Sequence, residues 1–325
     1  MKELSVYKLH FTTPLHISNN KKEYGVSLKT IASDTMYAAL TSCLGKMGES
    51  IPSSGDLGLG ISSLFPYYQK EKENKPIYFF PYPLQANIGN LDAKKSKKLK
   101  KIKWVDTFYF SEILCGRNIL QDEHIKGDYL CKAEEFDNDF ISSQAFQRIR
   151  LQDRTMQGNA EPYYVDRVFF KDCSGLYFIV NGDTTLLDKA LPLLSVEGIG
   201  TDRNVGNGFF TFEKDTISLE IPQRADYCLN LSVFFPESKQ QLENLMSSES
   251  IAYEVERRGG WITTPPYQTI RKNYIYGFSA GSVFRKETKD LEEVGKIVDL
   301  RPKWNDKELH SIFRSGRALV LPINI

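Results

Sequence analysis

Eleven residues, Gly198-Ile199-Gly200-Thr201-Asp202-Arg203-Asn204-Val205-Gly206-Asn207-Gly208, constrain this chain more than any other segment. Four glycines there surround one arginine and two asparagines. Glycine admits positive φ and leaves no side chain between the backbone and a ligand. Successive backbone N–H groups can then form an anion-binding nest, and Arg203 adds a planar donor fork suited to phosphate. The stretch is not a dinucleotide fingerprint, because the third glycine would fall at Arg203. It is not a P-loop, because no Gly-Lys-Ser/Thr follows. An ordinary glycine-rich connection is the other reading of the same residues.

The flanking pattern sets the fold class. Leu4 to Phe11 reads as a strand ended near Pro14. A helix follows in which Ser33 or Asp34 can cap the start and Met36, Leu40, Cys43, Leu44 and Met47 share one face. Residues 49–63 read as loop. Ile77 to Phe80, Val105 to Phe110 and Leu176 to Val180 read as strands. Phe146 to Met156 and Pro162 to Phe170 read as two arms around a turn at Gly158-Asn159. A helix from Thr184 to Leu191, capped by Asp183, should end near Pro192. Strands at Phe209 to Phe212 and Ile217 to Ile221 come after the glycines. Past a junction at Pro222 to Ala225 the order restarts: a strand from Tyr227 to Phe235, a helix from Ser238 to Met246, and strand-like pieces at 251–257, 273–278, 282–285 and 318–324. The echo predicts an α+β protein of two similar domains, 1–222 and 223–325, each an antiparallel sheet with helices on one face. A chain of 325 residues is also above the size at which one core stops growing.

Charge narrows the function classes. Lys and Arg total 42 against 41 Asp and Glu, a formal balance of +1. Any nucleic-acid site must therefore arise from local clustering. Lys94 to Lys103 holds seven lysines in ten residues, either a solvated insertion or a phosphate contact. Five spread cysteines suit free thiols in a reducing, cytoplasmic setting. Cys115, His124 and Cys131 match no standard zinc spacing. Met1 to Phe11 lacks a signal-peptide core, and no apolar run approaches the ~20 residues that span a bilayer. No metal, cofactor or membrane is expected.

A short helix, then G-I-G-x-x-R-x-x-G-x-G, then an aromatic strand resembles the glycine-rich loop of the RAMP superfamily of CRISPR proteins. Further segments in order strengthen the likeness: Phe11-Thr12-Thr13-Pro14-Leu15-His16-Ile17, Ser33-Asp34-Thr35-Met36-Tyr37-Ala38-Ala39-Leu40, Ile61-Ser62-Ser63-Leu64-Phe65-Pro66, Arg257-Arg258-Gly259-Gly260-Trp261 and Gly281-Ser282-Val283-Phe284. Together they resemble subunit four of the type III-A effector complex. The resemblance implies two tandem ferredoxin-like (RRM-like) domains with insertions and a thumb-like β-hairpin. It implies a non-catalytic subunit that grips the single-stranded 5′ handle of the CRISPR RNA and joins the backbone RAMP subunit to the large signalling subunit. Backbone nests, arginine forks and stacking are the physics expected for such RNA.

Carried onto this sequence, the handle contacts would be Gly198, Ile199, Gly200, Thr201, Arg203, Asn204, Gly206, Asn207 and Gly208, with Ser33 and Asp34 near phosphates at a helix N-terminus. Arg148, Arg150 and Arg154 would lie on the thumb, which wedges into the guide–target RNA duplex. Arg257, Arg258, Trp261, Arg271 and Lys272 combine cations with stacking surface. His16 is expected at the RNA. The alternative is a metal-independent repeat endoribonuclease using His16 as general acid or base. An alternative of another class is an enzyme holding nucleotide phosphates in the glycine-rich loop.

Overall fold

Strand β1 (Lys2–Phe11) sends alternate side chains to two cores: Leu4 and Val6 to one, Tyr7, Leu9 and Phe11 to the other. A strand buried on both faces belongs inside a sheet. In the computed structural model, which describes residues 1–18, 24–84, 101–117, 121–150, 161–247, 251–286, 294–303 and 309–325, that is where it lies. After β1 come helix α1 (Ser33–Lys46), strands β2 (Leu59–Ile61), β3 (Phe65–Tyr68), β4 (Ile77–Pro81) and β5 (Trp104–Asp106), and helix α2 (Thr107–Leu114). Then follow β6 (Ile125–Lys126), β7 (Tyr129–Leu130), β8 (Ile141–Arg150), β9 (Glu161–Phe170), β10 (Gly175–Gly182), α3 (Thr185–Glu197) and β11 (Phe210–Leu219). The main sheet runs β11-β1-β10-β3-β4-β5-β7-β6, with β2 also on β10.

The two faces of this sheet do different work. Met36, Leu40 and Leu44 of α1 and Leu187, Leu191 and Leu194 of α3 share the core of Tyr7, Leu9 and Phe11. On the other face, α2 supplies Tyr109, Phe110 and Leu114 to the core of Leu4, Val6, Phe80 and Tyr177. The rest of the chain adds to that second core and builds two smaller ones. Strand β12 (Tyr227–Asn230) is followed by α4 (Lys239–Met246), β13 (Val255–Arg258), β14 (Ile275–Phe278), β15 (Val283–Arg285), β16 (Ile297–Asp299), β17 (Phe313–Ser315) and β18 (Val320–Ile323). A three-stranded sheet has the order β15-β12-β18, and its Leu229, Val283, Leu321 and Ile323 bury against the main sheet. Two-stranded ribbons β13/β14, β16/β17 and β8/β9 complete the mixed α+β architecture.

Several sequence expectations change for definite reasons. The strands expected at 209–221 are one strand, because β1 offers an unbroken antiparallel partner from Phe11↔Phe210 to Lys2↔Leu219. The polar middle is tolerated because buried Lys8 reaches Glu213 at 2.6 Å. Helix α3 passes through Pro192 to Glu197. The proline forfeits one backbone bond, but buried Leu194 extends the apolar face, and Gly198 at φ 77° stops the helix. The strand expected over Val105 to Phe110 halts at Asp106, whose carboxylate accepts the Tyr109 N–H at 2.9 Å and starts α2. Ala32, not Ser33 or Asp34, holds the N-cap position of α1, with no side-chain cap. Strand β12 ends at Asn230 rather than Phe235, and the Asn230 amide turns to the Ser232 carbonyl at 2.6 Å. Hairpin β8/β9 pairs in register from Ile141↔Phe170 to Arg150↔Glu161. Arg154 and the turn at Gly158-Asn159 lie outside the described residues, as does the lysine run from Lys94 to Lys100.

Asp106 also accepts the Lys132 N–H at 2.7 Å, so one buried carboxylate holds two backbone donors. Asp106→Ala should cost about 2–3 kcal/mol of stability, measured by urea unfolding; a loss within ~0.5 kcal/mol would show the cap to be dispensable.

Candidate nucleic-acid interface

The start of α1 faces the C-terminal half of the chain, not solvent. The Ser33 hydroxyl accepts the Val233 N–H at 2.7 Å, and the Ser33 N–H donates to Ser63 Oγ at 3.2 Å. Asp34, 1% exposed, accepts two bonds from Arg258, Nη2 at 2.7 Å and Nε at 3.1 Å, and a third from Arg314 Nη1 at 3.2 Å. Thr35 Oγ1 accepts from the same two guanidiniums at 2.8 and 3.2 Å. Burial pushes the Asp34 carboxyl up, but Arg258 and Arg314 outweigh it and hold the group below the usual carboxylate range. Ser33 and Asp34 therefore have partners within the chain, and Asp34 does not cap the helix. Arg258 is likewise an internal partner.

The cluster is nonetheless rich in positive charge. Arg258 also meets Glu256 at 3.3 Å, and burial raises the Glu256 carboxyl. Burial, then repulsion by Arg314, lowers the Lys272 ammonium to about 7. Arg314 Nε is buried with no partner among the described residues. A cleft of about 730 Å³ opens over this floor. Gly200, Thr201 and Arg203 of the glycine-rich loop line it together with Arg257, Arg258, Trp261, Lys272 and Arg314 of the C-terminal half. Residues far apart in sequence thus meet at one site. Arg271 lies over the Trp261 ring at 4.9 Å and Arg257 over Tyr274 at 4.2 Å.

The loop is stitched to its surroundings. The Thr201 N–H donates to the His16 carbonyl at 2.9 Å, the Gly208 N–H to Pro14 at 2.8 Å and the Ile199 N–H to Gly208 at 3.0 Å. A Cβ at Gly198, Gly200 or Gly208 would fall within 2.6 Å of a backbone oxygen, of Asn207, His16 and Ile199 respectively. These glycines exist for close approach within the chain. Gly206, at φ 90°, alone of the four meets open space. Ile199, Asn207 and Gly208 are buried, Arg203 is partly exposed, and Asn204 and Val205 form the outward crest. Arg148 Nη1 meets Asp202 at 2.9 Å, which ties hairpin β8/β9 to the loop. Nothing is described of the Arg150 side chain.

His16 is 0% exposed. Its Nδ1–H donates to the Asp166 carbonyl of β9 at 2.6 Å, and its ring stacks on Tyr24 at 6.2 Å. It pins loop to hairpin, and it does not line the cleft. Sequence reasoning missed Arg314, which sits in the three-residue strand β17 with no pattern around it. The available signal was indirect: an aspartate inside an apolar helix face needs a buried cation.

Breaking the cluster has a measurable cost. Asp34→Ala leaves buried Arg314 without a carboxylate and Arg258 with Glu256 alone, and should destabilise the fold by about 3–5 kcal/mol. Because the Asp34 carboxyl is depressed, its contribution is full above the usual carboxylate range and is lost as pH falls through its lower folded value. Urea titrations below pH 5 should show a shallower fall with pH in Asp34→Asn than in the parent; equal slopes would contradict the assignment.

Comparison with known proteins finds likeness in both sequence and fold. The family model described as the CRISPR Csm4 C-terminal domain matches residues 223–323. A protein named CRISPR system Cms protein Csm4 from Mycobacterium tuberculosis is 24% identical over 317 residues, covering 93% of each chain. The crystal structure of a Csm3–Csm4 subcomplex in the type III-A CRISPR-Cas interference complex contains a chain that matches with a TM-score of 0.61 at 17% identity, covering 100% of both chains. A chain of a Csm1–Csm4 cassette in complex with pppApA matches with a TM-score of 0.60 at 16% identity, covering 100% of this chain and 99% of that one. By sequence over nine-tenths of its length and by fold over all of it, this chain resembles the Csm4 proteins of type III-A CRISPR systems.

Proposed function

We propose that the chain is a non-catalytic RNA-binding subunit of a type III-A CRISPR interference complex and that the cleft seats the 5′ handle of the CRISPR RNA. The observation that carries this reading is the convergence of Arg203 and the glycine-rich loop with Arg257 and Trp261 on one cleft whose floor holds Arg258, Lys272 and Arg314. Phosphates of a single strand suit such a floor, and its rim offers aromatic surface for bases. Internal partners give Ser33, Asp34 and buried His16 a positioning role, while Arg258 lines the cleft and adds charge to its floor.

The wider reading follows the same lines. The order β11-β1-β10-β3 with α1 and α3 on one face supports a ferredoxin-like unit at 1–222. The order β15-β12-β18, with α4 after β12, supports a reduced second one at 223–325. Hairpin β8/β9, anchored by Arg148 to Asp202, would be the thumb that meets the guide–target duplex. The proposed partners are the backbone RAMP subunit and the large signalling subunit, because the related Csm4 chains occur with Csm3 and Csm1. No described helix is long and apolar enough to cross a membrane, and a cytoplasmic ribonucleoprotein is the proposed setting. A general acid or base must reach the 2′-hydroxyl. The burial of His16 and its bond to Asp166 favour the scaffold over the nuclease.

In magnesium-free binding assays the chain should prefer an RNA bearing a repeat-derived 5′ handle to one with the handle scrambled, and cut neither. Cleavage abolished by His16→Ala would overturn the non-catalytic reading. Arg203→Ala should weaken binding and flatten the salt dependence by about one unit of slope. An unchanged slope would remove Arg203 from the phosphates. Lys272, at about 7, should take up a proton when phosphate arrives, so affinity should fall as pH rises from 6 to 8. Lys272→Met should lose that dependence; a variant that keeps it would place the titrating group elsewhere.

A further inference from the structure

Ribbon β13/β14 carries a second surface beside the cleft. Its register sets Val255 against Phe278 and Arg257 against Tyr276. Alternation along the ribbon divides Arg257 from Arg258. Arg258 turns inward to Asp34, while Arg257 is exposed and lies over Tyr274. Tyr274 and Tyr276 are 58% and 59% exposed, with ring centres 5.9 Å apart at 84°. Val255 stands exposed on the same face. The ribbon is fixed at its Val255–Phe278 end. Phe234 and Phe278 exchange backbone bonds at 2.9 Å, and their rings stack at 6.0 Å.

We propose that Tyr274, Tyr276 and Arg257 form a stacking platform for unpaired nucleobases of the RNA whose phosphates occupy the cleft, an inference that rests on the function proposed above. Three features favour a nucleic-acid strand as occupant. Arg257 lines the cleft as well as the platform, so the two surfaces are continuous. A guanidinium on a tyrosine face offers a second planar cation to a base or phosphate. On this face Val255, Arg257, Tyr274 and Tyr276 carry no carboxylate, while Glu256 alternates to the other face and pairs with Arg258. Stacking on an aromatic ring tolerates any base, so the platform adds affinity without reading sequence.

The test uses the purified full chain and handle RNAs carrying 2-aminopurine at successive positions. At least one probe should lose fluorescence on binding. Tyr276→Ala should restore that fluorescence and weaken binding about tenfold, whereas Tyr276→Phe should behave as the parent. The salt slope should stay unchanged in Tyr276→Ala, in contrast to Arg203→Ala. Both tyrosines are exposed, and unfolding midpoints equal to the parent's would show that folding is intact. Arg203-dependent binding with no quenched probe would overturn the platform alone. No binding of the handle RNA would overturn both readings. RNA binding intact in Tyr276→Ala, with weaker assembly onto a partner subunit, would make the surface a protein-docking site and overturn the proposal.

Discussion

One buried carboxylate organises the centre of this molecule. Asp34, at the start of a helix in the first half, is held by Arg258 and Arg314 from the second half. Without the two guanidiniums, burial of the carboxylate would be prohibitive; without the carboxylate, so would theirs. The bond therefore fixes how β13 and β17 meet α1. Replacement by apolar residues of similar volume could be as stable, so stability alone does not explain the arrangement. Its consequence is a cleft floor with an excess of positive charge, built from residues far apart in the sequence.

Rigidity at the opposite wall has another origin. The glycine-rich loop owes its shape to bonds with Pro14 and His16 and to backbone contacts that no Cβ could share. Only its crest around Arg203 to Val205 remains outward. Through His16 and Arg148 the same loop is joined to hairpin β8/β9. Loop, hairpin and cleft thus form one connected structure, which suits the positioning of a flexible single strand.

Much of the fold was legible because it rests on local periodicity. The apolar stripe Met36, Leu40, Cys43 and Leu44 marked α1, and Leu4 to Phe11 could be read as a strand, though not as one inside the sheet. Local rules failed where a distant partner decided the outcome. The whole of β11 is a strand because β1 lies beside it, and Pro192 stays helical because Leu194 has a core to enter. The candidate site shows the same division. The loop and the Arg257-Arg258-Trp261 segment could be read from residue type and order. That Arg257 faces out while Arg258 turns to Asp34, and that Arg314 completes the cluster, depends on contacts across 224 and 280 residues.

Crosslinking of a photoreactive handle RNA to the chain, mapped by mass spectrometry, tests the central claim most directly. Crosslinks should fall on residues 201–205 and on residues 257–276, the two walls of one cleft. Crosslinks confined to the far face of the main sheet, around helix α2 at Thr107–Leu114, would contradict it.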